Sequence, residues 1–180
     1  QNSVDPDLAN AARRQGLYAL IGVIVLILTA AIDYRIWYNA RHILYVLSLI
    51  FLVITLVFGS GEIGGVGRWL DLSVFPVQPS ELAKFATVVY LAAWLSSKGD
   101  KIRQWGYGII PFGMIIGFVT ALILLQPDLS AAATIVLVAS IMFFMAGADL
   151  IQMGLVGLAG SGVAWLVLQA SETGRKRLVD

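Results

Sequence analysis

The chain has 180 residues, of which 59% are hydrophobic and 13% charged, with a net charge of +1. Soluble domains carry about 25% charged residues, so an ordinary soluble domain is excluded, and the near-neutral balance offers no basic field for nucleic acid. There is no cysteine and a single histidine, His42, which excludes disulfides, thiolate metal sites and a histidine cluster.

Gln1–Asn10 is polar and lacks the basic start, apolar core and small-residue cleavage site of a signal peptide. Six apolar segments follow: Gly16–Ile32, Ile43–Phe58, Glu81–Leu95, Tyr107–Leu125, Ser130–Ala146 and Leu150–Leu168. A membrane-spanning helix needs about 20 mostly apolar residues, range about 17–25. Irregular backbone cannot face lipid. The expected fold is therefore all-α, a polytopic membrane helix bundle forming one transmembrane domain over residues 1–180.

The expected links are short: Asp33–His42, Ser96–Gln104, and a tight turn at Asp149. Gly59–Gln78 is the long one, glycine-rich and carrying Glu62, Arg68, Trp69 and Asp71. Alternating the spans puts Arg35, Arg41, Lys98, Lys101 and Arg103 on one side. Arg13, Arg14, Arg68, Arg175, Lys176 and Arg177 fall on the other, so the Lys/Arg bias that normally sets orientation is nearly tied. Gly154, Gly157, Gly160, Ser161 and Gly162 give the sixth span a small-residue stripe, which suits close helix packing or a helix that bends. Both chain ends read as cut, so a fragment is expected.

Three constellations carry the chemistry. In Gln78-Pro79-Ser80-Glu81-Leu82-Ala83-Lys84, the Pro79 position suits a helix start and Ser80 a cap. Glu81 and Lys84, three apart, share a helix face. The plain reading is a capped helix with a snorkelling lysine. The sharper one is a polar cavity, because ionisable groups inside a membrane normally mark functional sites. In Gln126-Pro127-Asp128, the Asp128 position suits a cap for the next helix. Counting crossings returns it to the side on which the Gln78–Lys84 helix begins. Gly64-Gly65-Val66-Gly67-Arg68-Trp69 lacks a phosphate-loop pattern, and Trp69 and Arg68 read by default as interfacial and headgroup contacts. If the three converge, Arg68 and Lys84 can meet diphosphate charge, and the carboxylates can bind a divalent cation such as Mg²⁺ or Mn²⁺ or handle protons.

Gly67-Arg68-Trp69-Leu70, Gln78-Pro79-Ser80-Glu81-Leu82-Ala83-Lys84 and Gln126-Pro127-Asp128-Leu129, in this order and spacing, resemble the FtsW/RodA/SpoVE proteins, the SEDS family of bacterial cell division, cell shape (elongation) and sporulation. The resemblance covers nearly the whole chain, as the second to seventh helices of a ten-helix fold. It implies a multi-pass protein of the bacterial plasma (inner) membrane. It also implies a peptidoglycan glycosyltransferase that polymerises lipid II in cell-wall biosynthesis, with undecaprenyl diphosphate leaving, beside a class B penicillin-binding transpeptidase.

Carried over by motif, Arg68 and Trp69 fall in the substrate-cavity loop. Glu81 and Lys84 line the central polar cavity with Gln78 and Ser80, and Gln126 and Asp128 lie near it. These ends would be extracytoplasmic and the Ser96–Gln104 loop cytoplasmic. The family's catalytic aspartate would lie beyond Asp180, so the piece alone is expected to be inactive; no protein metal site is expected. Leu129-Ser130-Ala131 departs from the family's Leu-Gly-Thr and keeps a hydroxyl. Two other readings account for the intramembrane charges: a lipid II flippase or other transporter, and a non-catalytic membrane scaffold of the division or elongation complex.

Overall fold

The structure is a computed structural model, and it describes residues 6–59, 67, 70–71 and 76–170. Its helices are α1 (Pro6–Ala31), α2 (Tyr34–Phe58), α3 (Pro79–Ser96), α4 (Ile109–Leu125), α5 (Leu129–Met145) and α6 (Leu150–Ala170). A 3-10 turn spans Gly99–Arg103, and β1 (Leu70–Asp71) pairs antiparallel with β2 (Pro76–Val77). Among the described residues the fold is thus an all-α polytopic bundle apart from one two-residue strand pair. The chain divides into two compact units, Gln1–Asn39 and Ala40–Asp180.

The first unit holds α1 and the start of α2. The expected link over Asp33–His42 is mostly helix, because α2 begins at Tyr34. Asp33 makes that possible: its Oδ1 accepts the Arg35 backbone N–H at 2.9 Å and its carbonyl accepts Ile36 N–H at 3.0 Å. This satisfies donors that a helix start leaves open. Hydropathy misses this turn of helix because Tyr34-Arg35-Ile36-Trp37-Tyr38 is mixed in polarity. At 25 residues α2 is long and apolar enough to cross a membrane. Shorter apolar helical runs of 10–17 residues occupy Gln15–Ala31, Ile109–Leu125, Leu129–Met145 and Leu150–Val163.

In the second unit the most extensive helix contact is between α3 and α5. Both bury alanines at helical spacing: Ala83, Ala86 and Ala93 on α3, Ala131, Ala132 and Ala139 on α5. Lipid supplies no hydrophobic force between helices, so small residues that permit close backbone approach drive such packing. α4 fills the adjoining layer, where Phe112 stacks on Phe143 of α5 at 4.2 Å between ring centroids. Tyr45 ties α2 to this layer. Its hydroxyl donates to the Ile115 carbonyl at 2.9 Å, and its ring stacks on Tyr90 of α3 at 4.4 Å. Of the small residues expected to pack α6, Gly160 alone among Gly154, Gly157, Gly160 and Gly162 has a neighbour where a Cβ would sit, Val136 at 3.6 Å.

The far end of the bundle is closed by Gln152. This residue is 1% exposed; its Nε2 donates to the carbonyls of Ile102 and Arg103, and its Oε1 accepts the Asp149 N–H. The 3-10 turn is thereby fixed to the start of α6, with Ile102 buried beneath it. Gly108 completes the turn, since a Cβ there would fall 1.8 Å from the Ile102 carbonyl oxygen.

Candidate functional site

α3 begins at Pro79, the first helical position suited to a residue with no N–H to satisfy. Gln78, not Ser80, occupies the cap position, and no side-chain cap bond is made there. Ser80 lies inside the first turn, 1% exposed, and points its hydroxyl across to another helix. Its partner is Asp128. One oxygen of that carboxylate, Oδ2, accepts from Gln78 Nε2 and Ser80 Oγ, both at 3.0 Å. The other, Oδ1, accepts the Ala131 N–H at 3.1 Å and caps α5. The starts of α3 and α5 therefore meet at one end of the bundle, as the count of crossings requires.

Gln126, 1% exposed, donates to the Leu52 carbonyl of α2 at 2.8 Å. It anchors the α4–α5 corner to a third helix. The β1–β2 register places Leu70 opposite Val77, one residue before Gln78. Arg68 and Trp69 themselves lie outside the described residues, as do Glu62 and Arg175–Asp180.

One turn into α3, Lys84 Nζ contacts Glu81 Oε1 at 2.7 Å, with side-chain exposures of 26% and 59%. A lysine near a helix N-terminus opposes the dipole and a first-turn glutamate favours it, so Glu81 offsets an unfavourable position. A partly exposed pair of this kind contributes about 0–1 kcal/mol, so it does little to hold the fold. Lys84 lies at an open groove between α3 and α5 with about 30 Å³ of free space, whose walls include Thr87, Leu91, Thr134 and Met142. Thr87 carries no sequence signal of its own beyond standing three residues after Lys84, on the same helix face.

Among the described residues no three Asp, Glu or His side chains cluster to hold a metal ion. Asp128 is engaged by three protein donors and Glu81 by Lys84. A second groove with about 270 Å³ of free space, between α4, α5 and α6, is lined by Gly113, Gly117, Thr120 and Gly160 among others and carries no charged group.

A bundle of apolar helices with an ammonium–carboxylate pair at a groove between two of them has the architecture of a helical membrane protein. The sequence profile of the FtsW/RodA/SpoVE family, described as "Cell cycle protein", matches residues 3–180. The chain belongs to this SEDS family and is a membrane protein. It is 42% identical over 151 residues to "Probable peptidoglycan glycosyltransferase FtsW" of Geobacter sulfurreducens, covering 81% of this chain and 40% of that protein. It is 35% identical over 161 residues to "Stage V sporulation protein E" of Bacillus subtilis, covering 88% and 44%. Among solved structures it superposes on the rod shape determining protein RodA of Thermus thermophilus with a TM-score of 0.73 at 30% identity, covering 90% of this chain and 52% of RodA. A chain of a peptidoglycan synthase complex matches with a TM-score of 0.74 at 28% identity, covering 97% and 51%. The chain thus spans about half the length of the solved relatives and two fifths of the curated ones.

Proposed function

We propose that this chain carries the substrate cavity of a peptidoglycan glycosyltransferase that polymerises lipid II, as a multi-pass protein of the bacterial inner membrane working beside a class B penicillin-binding transpeptidase. The names of the FtsW relatives support the activity, and the match to a chain of a peptidoglycan synthase complex supports a partner in crosslinking. The observation that carries the reading is the Glu81–Lys84 pair, set at the groove on a helix whose start is pinned by Asp128.

In this reading the candidate residues divide their work. Lys84 meets diphosphate charge, and Glu81 keeps its ammonium oriented while no ligand is bound. Gln78, Ser80, Asp128 and Gln126 hold α3, α5 and α2 in register around the groove. Polymerisation forms a glycosidic bond at C1 of the donor sugar as the bond from C1 to the diphosphate breaks; the leaving diphosphate takes the electron pair. The acceptor hydroxyl gives its proton to a base that the family resemblance places beyond Asp180. The carboxylates of the described residues offer no ready Mg²⁺ or Mn²⁺ site, so no step is routed through a metal.

The test uses the full-length protein, its transpeptidase partner and purified lipid II. Glu81→Ala and Lys84→Ala are expected to lower glycan polymer yield while leaving thermal stability nearly unchanged, in line with the small worth of an exposed pair. Wild-type yield from both variants would refute the cavity assignment. Translocation of labelled lipid II across liposomes with no polymer formed would point to a transporter instead.

A further inference from the structure

The connection from α3 to α4 carries three cations in six residues, Lys98, Lys101 and Arg103, and its 3-10 turn sorts them. Side chains three apart eclipse in such a turn, and the Lys101 N–H bonds the Lys98 carbonyl at 3.2 Å. Gly99 and Ile102 therefore form one row, with Ile102 turned inward and buried. Asp100 and Arg103 form a second, where Arg103 also lies 3.7 Å from Asp149. Lys98 and Lys101 form the third, and neither makes an ion pair among the described residues. Asp100 and Asp149 thus both stand on the Arg103 side.

Lys98 has local reasons for its place. It follows the C-terminus of α3, where a cation is favoured, and its Nζ lies 5.5 Å from the centre of the Trp94 ring. Lys101 is exposed and has neither support. Lysines at the ends of spans often only set orientation, and a loose loop would suffice for that. This turn is fixed: Gln152 holds the Ile102 and Arg103 carbonyls, and Gly108 packs against the Ile102 backbone. Trp105 and Tyr107, which follow it, are each 56% exposed, and aromatics of this kind sit at the level of lipid headgroups.

We propose that the Lys98–Lys101 row is a binding surface for the phosphate of an anionic phospholipid headgroup, with Trp105 and Tyr107 seated in the same interfacial layer. The occupant is a lipid, and not an acidic protein, because the turn is short, joins two apolar helices and is flanked by interfacial aromatics, which sets it at headgroup depth. The surface lies at the opposite end of α3 from the Glu81–Lys84 pair, so it stands whatever that pair does.

The experiment titrates full-length protein in a neutral detergent with dioleoylphosphatidylglycerol, or with dioleoylphosphatidylcholine as the zwitterionic control, and reads bound lipid by native mass spectrometry. The variants are Lys98→Gln, Lys101→Gln, the two together, and Arg103→Gln. One basic residue at an anionic lipid surface corresponds to about fivefold in affinity. The expected result for the tightest-bound phosphatidylglycerol is a loss of about fivefold for each lysine variant and about 25-fold for the pair. Arg103→Gln should change little, phosphatidylcholine binding should not change, and Lys101→Gln should keep the wild-type Tm in lipid-free detergent. Wild-type affinity in the double variant overturns the proposal. An equal loss from Arg103→Gln would mean diffuse charge attraction, an equal loss for phosphatidylcholine or a lowered Tm would mean disturbed packing, and each overturns it too. Polyglutamate binding that needs the same lysines, with no preference between the two lipids, would give the surface to an acidic protein instead.

Discussion

Asp128→Ala tests how the site is held. The carboxylate accepts from Ala131 N, Ser80 Oγ and Gln78 Nε2 at 3.0–3.1 Å, and it is 5% exposed. Losing the helix cap costs about 1 kcal/mol. Each side-chain bond would be worth about 1.5–3 kcal/mol in a soluble protein, but bonds between membrane helices average about 0.6 kcal/mol. Taking a value between these for the two cross-helix bonds gives a total of about 3 kcal/mol. For a chain of this size that lowers Tm by roughly 6–12 °C, measured by unfolding in detergent micelles. Asp128→Asn separates the parts, because asparagine caps nearly as well as aspartate. It should recover about 1 kcal/mol and leave the bonds from Ser80 and Gln78 impaired. Ser80→Ala and the Asp128→Ala/Ser80→Ala double variant close a cycle whose coupling should be about 0.5–1.5 kcal/mol. Strict additivity in that cycle, or an Asp128→Ala loss no larger than that of Ser80→Ala, would refute the clasp.

Gln152→Ala removes both side-chain bonds to the Ile102 and Arg103 carbonyls, so amide exchange over Ile102–Gln104 should quicken about tenfold, read by hydrogen exchange mass spectrometry, with α3 unaffected. Tyr45→Phe keeps the stack on Tyr90 but loses the bond to Ile115, and should cost about 1 kcal/mol in unfolding free energy. Phe143→Ala empties a fully buried position stacked on Phe112 and should cost about 3–5 kcal/mol by the same measure.

The sequence made some of this legible for physical reasons. Apolar length reveals spans, and spans alternate direction, so the meeting of Asp128 with the Gln78 end could be counted out before any distance was known. The cap on α5 was readable because Asp128 acts on a donor three residues away. Where the partner is distant, local pattern fails. Ser80 looks like a cap, yet its acceptor is 48 residues on. Gln126 reaches 74 residues back to Leu52, and Gln152 reaches 50 back to Ile102. The start of α2 was missed for another reason: hydropathy averages a mixed turn into loop, while the backbone continues helical because Asp33 caps it. Thr87 was invisible because a threonine in an apolar helix normally bonds its own backbone, and only packing shows that this one does not.

Two carboxylates that look alike in the sequence prove unlike in the bundle. Asp128 and Glu81 both stand at helix starts after a Gln-Pro pair, Asp128 directly after Pro127 and Glu81 two residues after Pro79. Asp128 is buried, and its partners are the ends of two helices; moving it would disturb both. Glu81 is 59% exposed and contacts one ammonium, that of Lys84. A group that must exchange its partner for a ligand cannot also be the group on which the helices are fastened, because the cost of breaking a buried network is far larger than that of opening an exposed pair. The clasp at Asp128 and the pair at Glu81–Lys84 are thus separate devices on adjacent turns. The first fixes where α3 begins, and that position sets which face of α3, with Lys84 and Thr87 three apart, is turned toward α5.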